Sequence, residues 1–280
     1  MNKIFEKLMD FARREPVGFV SLVVALIMIG CVFLLPIFMD LDPIKDSLKD
    51  KFMPPSGKNI MGTDQLGRDV FARIIYGGRT SVIIGLLTTF IAFTIGVTLG
   101  LIAGVRGGTC DIVINQFIDI SFAIPSLLLA IAAAAVLRGG ILTIVIALSL
   151  SGWGSFARIS RGAAKQLMTS DYVLASRSLG TTITNIVIRH IIPNSISILI
   201  VTCTLKMGSF ILGESALSFL GLGINPPEPS WGGMVSNSYS FLRSIPRLSI
   251  IPGVMIAILV TSFNLLGDSL RDFYDIKKSI

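Results

Sequence analysis

Six separate stretches of about twenty mostly apolar residues recur along this chain, roughly at 17–39, 80–105, 112–136, 140–157, 195–222 and 248–267. As a helix, each is long enough to cross a hydrocarbon layer about 30 Å thick. Backbone polar groups in lipid must be satisfied within the protein, which makes such runs membrane-spanning helices packed on one another. Only 15% of the residues are charged, against about 25% in soluble domains. The expected fold is an all-α polytopic membrane protein with six transmembrane helices. The first run, Val17 to about Met39, follows a basic lead, yet it exceeds a secretory h-region and lacks a small-x-small cleavage site. It reads as an uncleaved span.

The net charge of +7 does not point to nucleic acid, because no basic patch interleaved with aromatics and no DNA-binding pattern is present. The basic residues sit between spans, where Lys and Arg set orientation. With the N-terminus inside, the cytoplasmic side holds Lys3, Lys7, Arg13, Arg14, Arg106, the basic residues of 158–194, and Arg271, Lys277 and Lys278. That is a small excess, since the 40–79 loop, Arg138, Arg243 and Arg247 place many positive charges on the other side. Cys31, Cys110 and Cys203 form no CxxC pair, so neither a disulfide framework nor a zinc site is expected.

The spans carry features beyond hydropathy. Gly96, Gly100 and Gly104 form a small-xxx-small ladder on one helix face, suited to close approach of a helix in this chain or in a partner subunit. Pro125 should kink the third span. Asp119, Lys206 and Glu214 are ionisable residues inside apolar runs, where a charge costs at least about 2.5–3.5 kcal/mol. Asp119 and Glu214 have two readings, a pathway lining or gate and a hydrogen-bonded packing residue. Lys206 and Glu214 are too far apart along one helix to pair directly. Outside the membrane, INPPEPSWGG is too proline-rich for a helix or strand interior, and Trp231 suits an interfacial anchor. Asp69 to Tyr76 reads as a short amphipathic helix at the interface.

Residues 158–194 are polar and basic between two apolar runs. Thr169 or Ser170 can cap a helix with Asp171 in its first turn. Tyr172, Ala175 and Leu179 share one side, with Ser176 beside them, and Gly180 falls where a helix ends in a left-handed residue. Thr181 or Thr182 restarts a second helix, which stops at Pro193. A patterned helix–Gly–helix element that cannot bury itself in lipid is suited to docking on another protein.

At this point the chain resembles a family. DYVLASRSLG followed by nine residues and HIIP is similar to the cytoplasmic loop of ABC-importer permeases, whose pattern is EAA, three residues, Gly, nine residues, I-x-L-P. Ala175, Gly180 and Pro193 match; Leu174, Ser176, His190 and Ile192 stand where the family has Glu, Ala, Ile and Leu. GTDQLGRDVFARIIYGGRTS, DISFAIPSLLLAIA, ILGESALSFLGLGINPPEPSWGGM and NLLGDSLRDFYD resemble the C-type permease subunit of dipeptide, oligopeptide and nickel ABC importers. Gln116 replaces an Arg that many relatives place before Asp119.

The resemblance implies a type I ABC importer permease (MetI-like) fold in the bacterial inner membrane, with both termini cytoplasmic. Residues 1–79 would hold the first span and an external loop, and 80–280 a five-span core with the coupling loop at 158–194. The implied partners are a B-type permease, two cytoplasmic ATPase subunits and an extracytoplasmic solute-binding protein. Asp171, Tyr172, Leu174, Ala175, Ser176, Leu179, Gly180 and Pro193 would contact an ATPase subunit. The chain has no G-x-x-x-x-G-K-[ST] phosphate loop, so ATP and magnesium belong to partners and the chain itself is neither an enzyme nor a cofactor binder. The cargo is expected to be a di- or oligopeptide, with nickel or a metal–chelator complex as the alternative; the external loops lack His and Cys, which favours peptide. A self-sufficient secondary transporter is the rival of a different class, but no internal repeat supports it. A membrane enzyme is a weaker rival, because His190 has no nucleophile or metal-ligand cluster around it in the sequence.

Overall fold

The computed structural model describes residues 2–137 and 139–276. Arg138, Lys277 and Lys278, which entered the charge comparison, lie outside the described residues. Among the described residues, five helices are long and apolar enough to cross a membrane, and a bent helix pair provides a sixth candidate.

The basic lead is itself a helix, α1 (Asn2–Arg14), and Pro16 opens α2 (Pro16–Phe38). Proline suits that position, because its missing N–H is one a helix start leaves unpaired anyway. Both helices lean on the last helix of the chain. Phe11 packs edge-on against Phe273 with ring centroids 5.4 Å apart, and a Cβ on Gly18 would stand 2.3 Å from Ser269 Cβ.

Helix α3 (Val70–Arg106) is 37 residues long, or about 55 Å at 1.5 Å per residue. It corrects the expectation of a separate interfacial helix over 69–76. Those residues are the first turns of α3, capped by the Asp69 carboxylate, which accepts the Ala72 N–H at 3.0 Å. They are buried because the 40–69 loop folds over them. Arg73 donates to the carbonyl of Pro43 at 2.9 Å and lies 3.6 Å from Asp64, whose carboxylate also holds Arg68 at 2.8 Å.

The third apolar run is broken rather than kinked. Helices α4 (Gly108–Ala123) and α5 (Ser126–Val136) meet at 90°. Pro125 disfavours helical geometry at the residue before it, and Ile124 is accordingly extended at φ −102°, ψ 128°.

Helix α6 (Ile141–Met168) continues well past the expected end at 157. The face of α6 that carries Trp153, Ala157, Ser160 and Ala164 lies against α3. A Cβ on Gly96 would meet the Trp153 carbonyl, one on Gly100 the Ala157 carbonyl and Ser160, and one on Gly104 Ala164, all under 3 Å. The glycine ladder is therefore filled by α6 of the same chain, not by a partner subunit. Van der Waals contact at this distance is what small residues provide in lipid, where apolar burial gives little drive.

After α7 (Asp171–Ser178) and the short α8 (Ile183–Ile186), one π turn over Val187–Ile191 leads directly into α9 (Ile192–Phe219). The second arm thus runs on through Pro193, contrary to the expectation that it stops there. The Ile192 N–H reaches back five residues to the Val187 carbonyl, and this widened turn lets the proline ring enter the first turn of α9. Helices α10 (Trp231–Ser238) and α11 (Arg247–Ile276) complete the chain. Trp231 is not an interfacial anchor: it is fully buried and donates its Nε1–H to the Ile74 carbonyl of α3 at 2.9 Å. The prolines of 226–229 precede α10 and are not helical, as expected.

Candidate functional site

At one end of the bundle, α6, α7, α8 and the start of α9 build a protruding helix–turn–helix. Ser170 occupies the N-cap of α7, but its hydroxyl donates backward to the Leu167 carbonyl at 2.6 Å instead of capping. Asp171 in the first turn and Arg177 in the last complement the helix dipole. Gly180 takes φ +82°. The Gly180 and Thr181 N–H groups return to the Arg177 and Ser176 carbonyls at 3.0 and 3.2 Å, the paired closure of a Schellman motif. The Ser176 hydroxyl reaches Thr181 Oγ1 at 3.0 Å, and Thr182 caps α8 by accepting from Asn185 N–H. The angle between the two arms is fixed by backbone.

Two residues that the sequence pattern did not single out hold this element on the bundle. Val173 and Ile186 are fully buried and cluster with Ala164 and Ile191, against Leu101 and Val105 of α3. The opposite surface is open. Tyr172, Leu174 and Ile183 are each about half exposed, and Leu179 at the tip is 87% exposed. His190 lies beside Tyr172, ring centroids 5.7 Å apart. A rigid element that shows water several apolar side chains, with Leu179 foremost, has the character of a docking surface.

The basic residues of 158–165 are helical rather than looped, and each is paired. Arg158 of α6 bonds Asp119 of α4 at 2.9 Å and stacks over Phe122 at 3.9 Å. Asp119 therefore has a cationic neighbour, supplied across helices rather than from position 116. One turn and two turns further along α6, Arg161 and Lys165 both bind Asp111. Lys206, midway along α9, lines a cleft beside the α4–α5 break.

Glu214 lies toward the far end of α9 and is fully buried. Its carboxylate accepts from Ser81 of α3 and Ser218 of α9, both at 2.8 Å, and from Ser215 at 3.4 Å. Ser230, the N-cap of α10, donates to Ser218 at 3.3 Å. The structure thus does not gather the predicted residues into one site. The docking element and Glu214 occupy opposite ends of the bundle, with Asp119 and Lys206 between them.

A family described as the binding-protein-dependent transport system inner membrane component matches residues 96–279. The chain belongs to this family. It is a multi-pass transport component of a membrane, and proteins of this family are not themselves enzymes. Similar proteins include the oligopeptide transport system permease protein of Bacillus subtilis, 38% identical over 95% of this chain and 87% of the relative. The dipeptide transport system permease protein of Alkalihalophilus pseudofirmus is 38% identical over 91% of this chain and 85% of its own. The glutathione transport system permease protein of Pectobacterium atrosepticum is 40% identical over 80% and 74%. Among solved structures, an inward-facing MetNI methionine ABC transporter chain superposes with TM-score 0.58 at 18% identity, over 71% of this chain and 95% of that one. The fold of this permease component is thereby that of the MetI-like chains. The resemblance drawn from four sequence strings holds over nearly the whole length.

Proposed function

We propose that this chain is the C-type half of the translocation pathway of an ATP-driven importer for di- or oligopeptides. The observation that carries the reading is the exposed apolar tip around Leu179, on an element that Val173 and Ile186 anchor to α3 and α6. A tip fixed this way transmits force: pushing it moves the ends of two long helices. Relatives with named cargoes include oligopeptide, dipeptide and glutathione permeases, all carriers of peptides, which supports a peptide cargo. The partners are a B-type permease, two ATPase subunits carrying ATP and magnesium, and an extracytoplasmic binding protein. The permease core occupies 80–280, and the family match over 96–279 supports that division. Affinity purification of this chain from its own membrane is expected to recover ATPase subunits and a second permease. Reconstituted with its binding protein, that complex should take up a dipeptide only with ATP. Uptake by the isolated chain down an ion gradient would overturn the reading.

In this arrangement both termini and the α7–α8 turn face the cytoplasm, and the 39–69 and 220–246 segments face outward. Replacing the three native cysteines and introducing Ser178→Cys or Glu228→Cys gives two single-cysteine proteins, both labelled at exposed positions. An impermeant thiol reagent should reach Glu228→Cys from outside and Ser178→Cys only in inverted vesicles. Labelling of both from the same side would remove the six-span topology.

A further inference from the structure

We propose that Lys206, assisted by Ser155, forms a carboxylate-binding subsite in the wall of the pathway that receives the C-terminal carboxylate of the peptide cargo. This rests on the peptide-importer reading and adds a recognition chemistry to it.

The cleft lies between α4, α6 and α9, beside the 90° break at Ile124 and Pro125, and has a volume of about 310 Å³. That is at the low end of the roughly 300–1,000 Å³ of small-molecule sites, room for one end of a peptide rather than a whole oligopeptide. Lys206 stands halfway along α9, a depth at which an ammonium group facing lipid is costly. Ionisable groups so placed face a bundle interior or a water-filled cavity, and commonly mark a substrate path.

The charges around the cleft decide what it can hold. Arg158 is already neutralised by Asp119 at 2.9 Å and covers the Phe122 ring. The Thr202 hydroxyl is committed to the Ile198 carbonyl at 2.7 Å. Among the described residues, Lys206 has no carboxylate within ion-pair distance and no hydrogen bond, and the Ser155 hydroxyl also has no partner. The cleft therefore offers one uncompensated positive charge and one spare hydroxyl, set in an apolar wall of Leu205, Ile159 and Phe122.

A single positive charge suits a monoanion and repels an ammonium group. A hydroxyl beside it suits a planar acceptor with two oxygens, and an apolar wall suits a side chain next to that acceptor. A peptide C-terminus has all three properties. One ion pair without a second cation also keeps the site weak, as a transport site must be if its occupant is to leave.

The test uses the complete complex with its binding protein in vesicles, and compares uptake of alanyl-phenylalanine with that of its C-terminal amide. The same binding protein loads every variant, so its own preference cancels when acid-to-amide ratios are compared between variants. Lys206→Gln should lower the ratio about tenfold, which corresponds to roughly 1.4 kcal/mol, and Lys206→Arg should restore most of it. Ser155→Ala leaves every charge in place and should lower the ratio roughly threefold, because a hydroxyl donates more strongly to a carboxylate than to the neutral oxygen of an amide. It provides the answer should Lys206→Gln not assemble. An unchanged ratio overturns the proposal, including the case in which acid and amide slow equally. A wild-type complex that takes up neither these dipeptides nor longer peptides would instead remove the peptide-importer reading, and the subsite with it.

Discussion

Gly180→Val should leave this permease in the membrane at wild-type level, yet strip the ATPase subunits from it and abolish uptake. The substitution touches no span, and no heavy atom lies within 4 Å of where a Cβ would stand, so nothing within the chain clashes. What it meets is the backbone. At φ +82° a side chain costs roughly 1–2 kcal/mol, and a β-branched one is a still poorer fit. The cheapest relief is to rotate the residue out of the left-handed region. That breaks the Thr181 N–H bond returning to Ser176 and changes the angle between α7 and α8, so that the Leu179 tip is no longer held in one place relative to both arms. Gly180→Ala should show an intermediate loss. Leu174→Glu should be tolerated, since Leu174 is half exposed and relatives of this loop carry Glu there. Purifying the complex from each variant and comparing ATPase recovery with uptake makes the check. Full uptake by Gly180→Val would mean that this turn is not the coupling element.

Gly180 could be read from the sequence because the signal is local: a glycine ending a short periodic segment has few other uses. Val173 and Ile186 could not be. Each is one apolar residue in a short helix, and the cluster that buries it joins Ala164 and Leu167 of α6 to Leu101 and Val105 of α3, about 70 residues or more earlier in the chain. The apolar centres of the spans were legible for the same local reason, as windows of high hydropathy. Their ends were not. Arg158, Arg161 and Lys165 looked like loop charge because their partners, Asp119 and Asp111, lie 39 to 54 residues away. Arg73 likewise looked interfacial until its partners Asp64 and the Pro43 carbonyl are seen. Charge that is neutralised across helices extends a helix that composition would end. Pro125 and Pro193 make the complementary point. The first breaks its helix because Ile124 can become extended; the second does not, because a π turn has already shifted the backbone register.

Glu214→Leu should sharply reduce the amount of assembled complex, whereas Glu214→Gln should assemble and transport nearly as wild type does. The carboxylate is a tie between elements: Ser81 brings in α3, Ser218 belongs to α9, and Ser230 connects to the start of α10. Leucine removes every acceptor at once, at about 1–3 kcal/mol for each buried hydroxyl left unpaired. Serines on helices recover part of that by turning to their own i−4 carbonyls, but the tie between α3 and α9 is gone either way. Shape adds to the loss. The surroundings have no slack, for a Cβ on Gly232 would already stand 2.5 Å from Ser215 Cα. Fitting a branched side chain into a slot made for a flat carboxylate costs roughly another 1–3 kcal/mol by overpacking. Glutamine keeps the flat shape. Its amide oxygen accepts from one serine, and its NH₂ donates to another whose hydroxyl turns to the helix backbone. Since Glu214 has no exposed surface, its hydrogen bonds rather than its charge are expected to matter. Yield of purified complex and uptake per complex separate the two roles. A Glu214→Gln complex that assembles at wild-type level but no longer transports would show that the carboxylate itself acts in the transport cycle, as a gate rather than a tie.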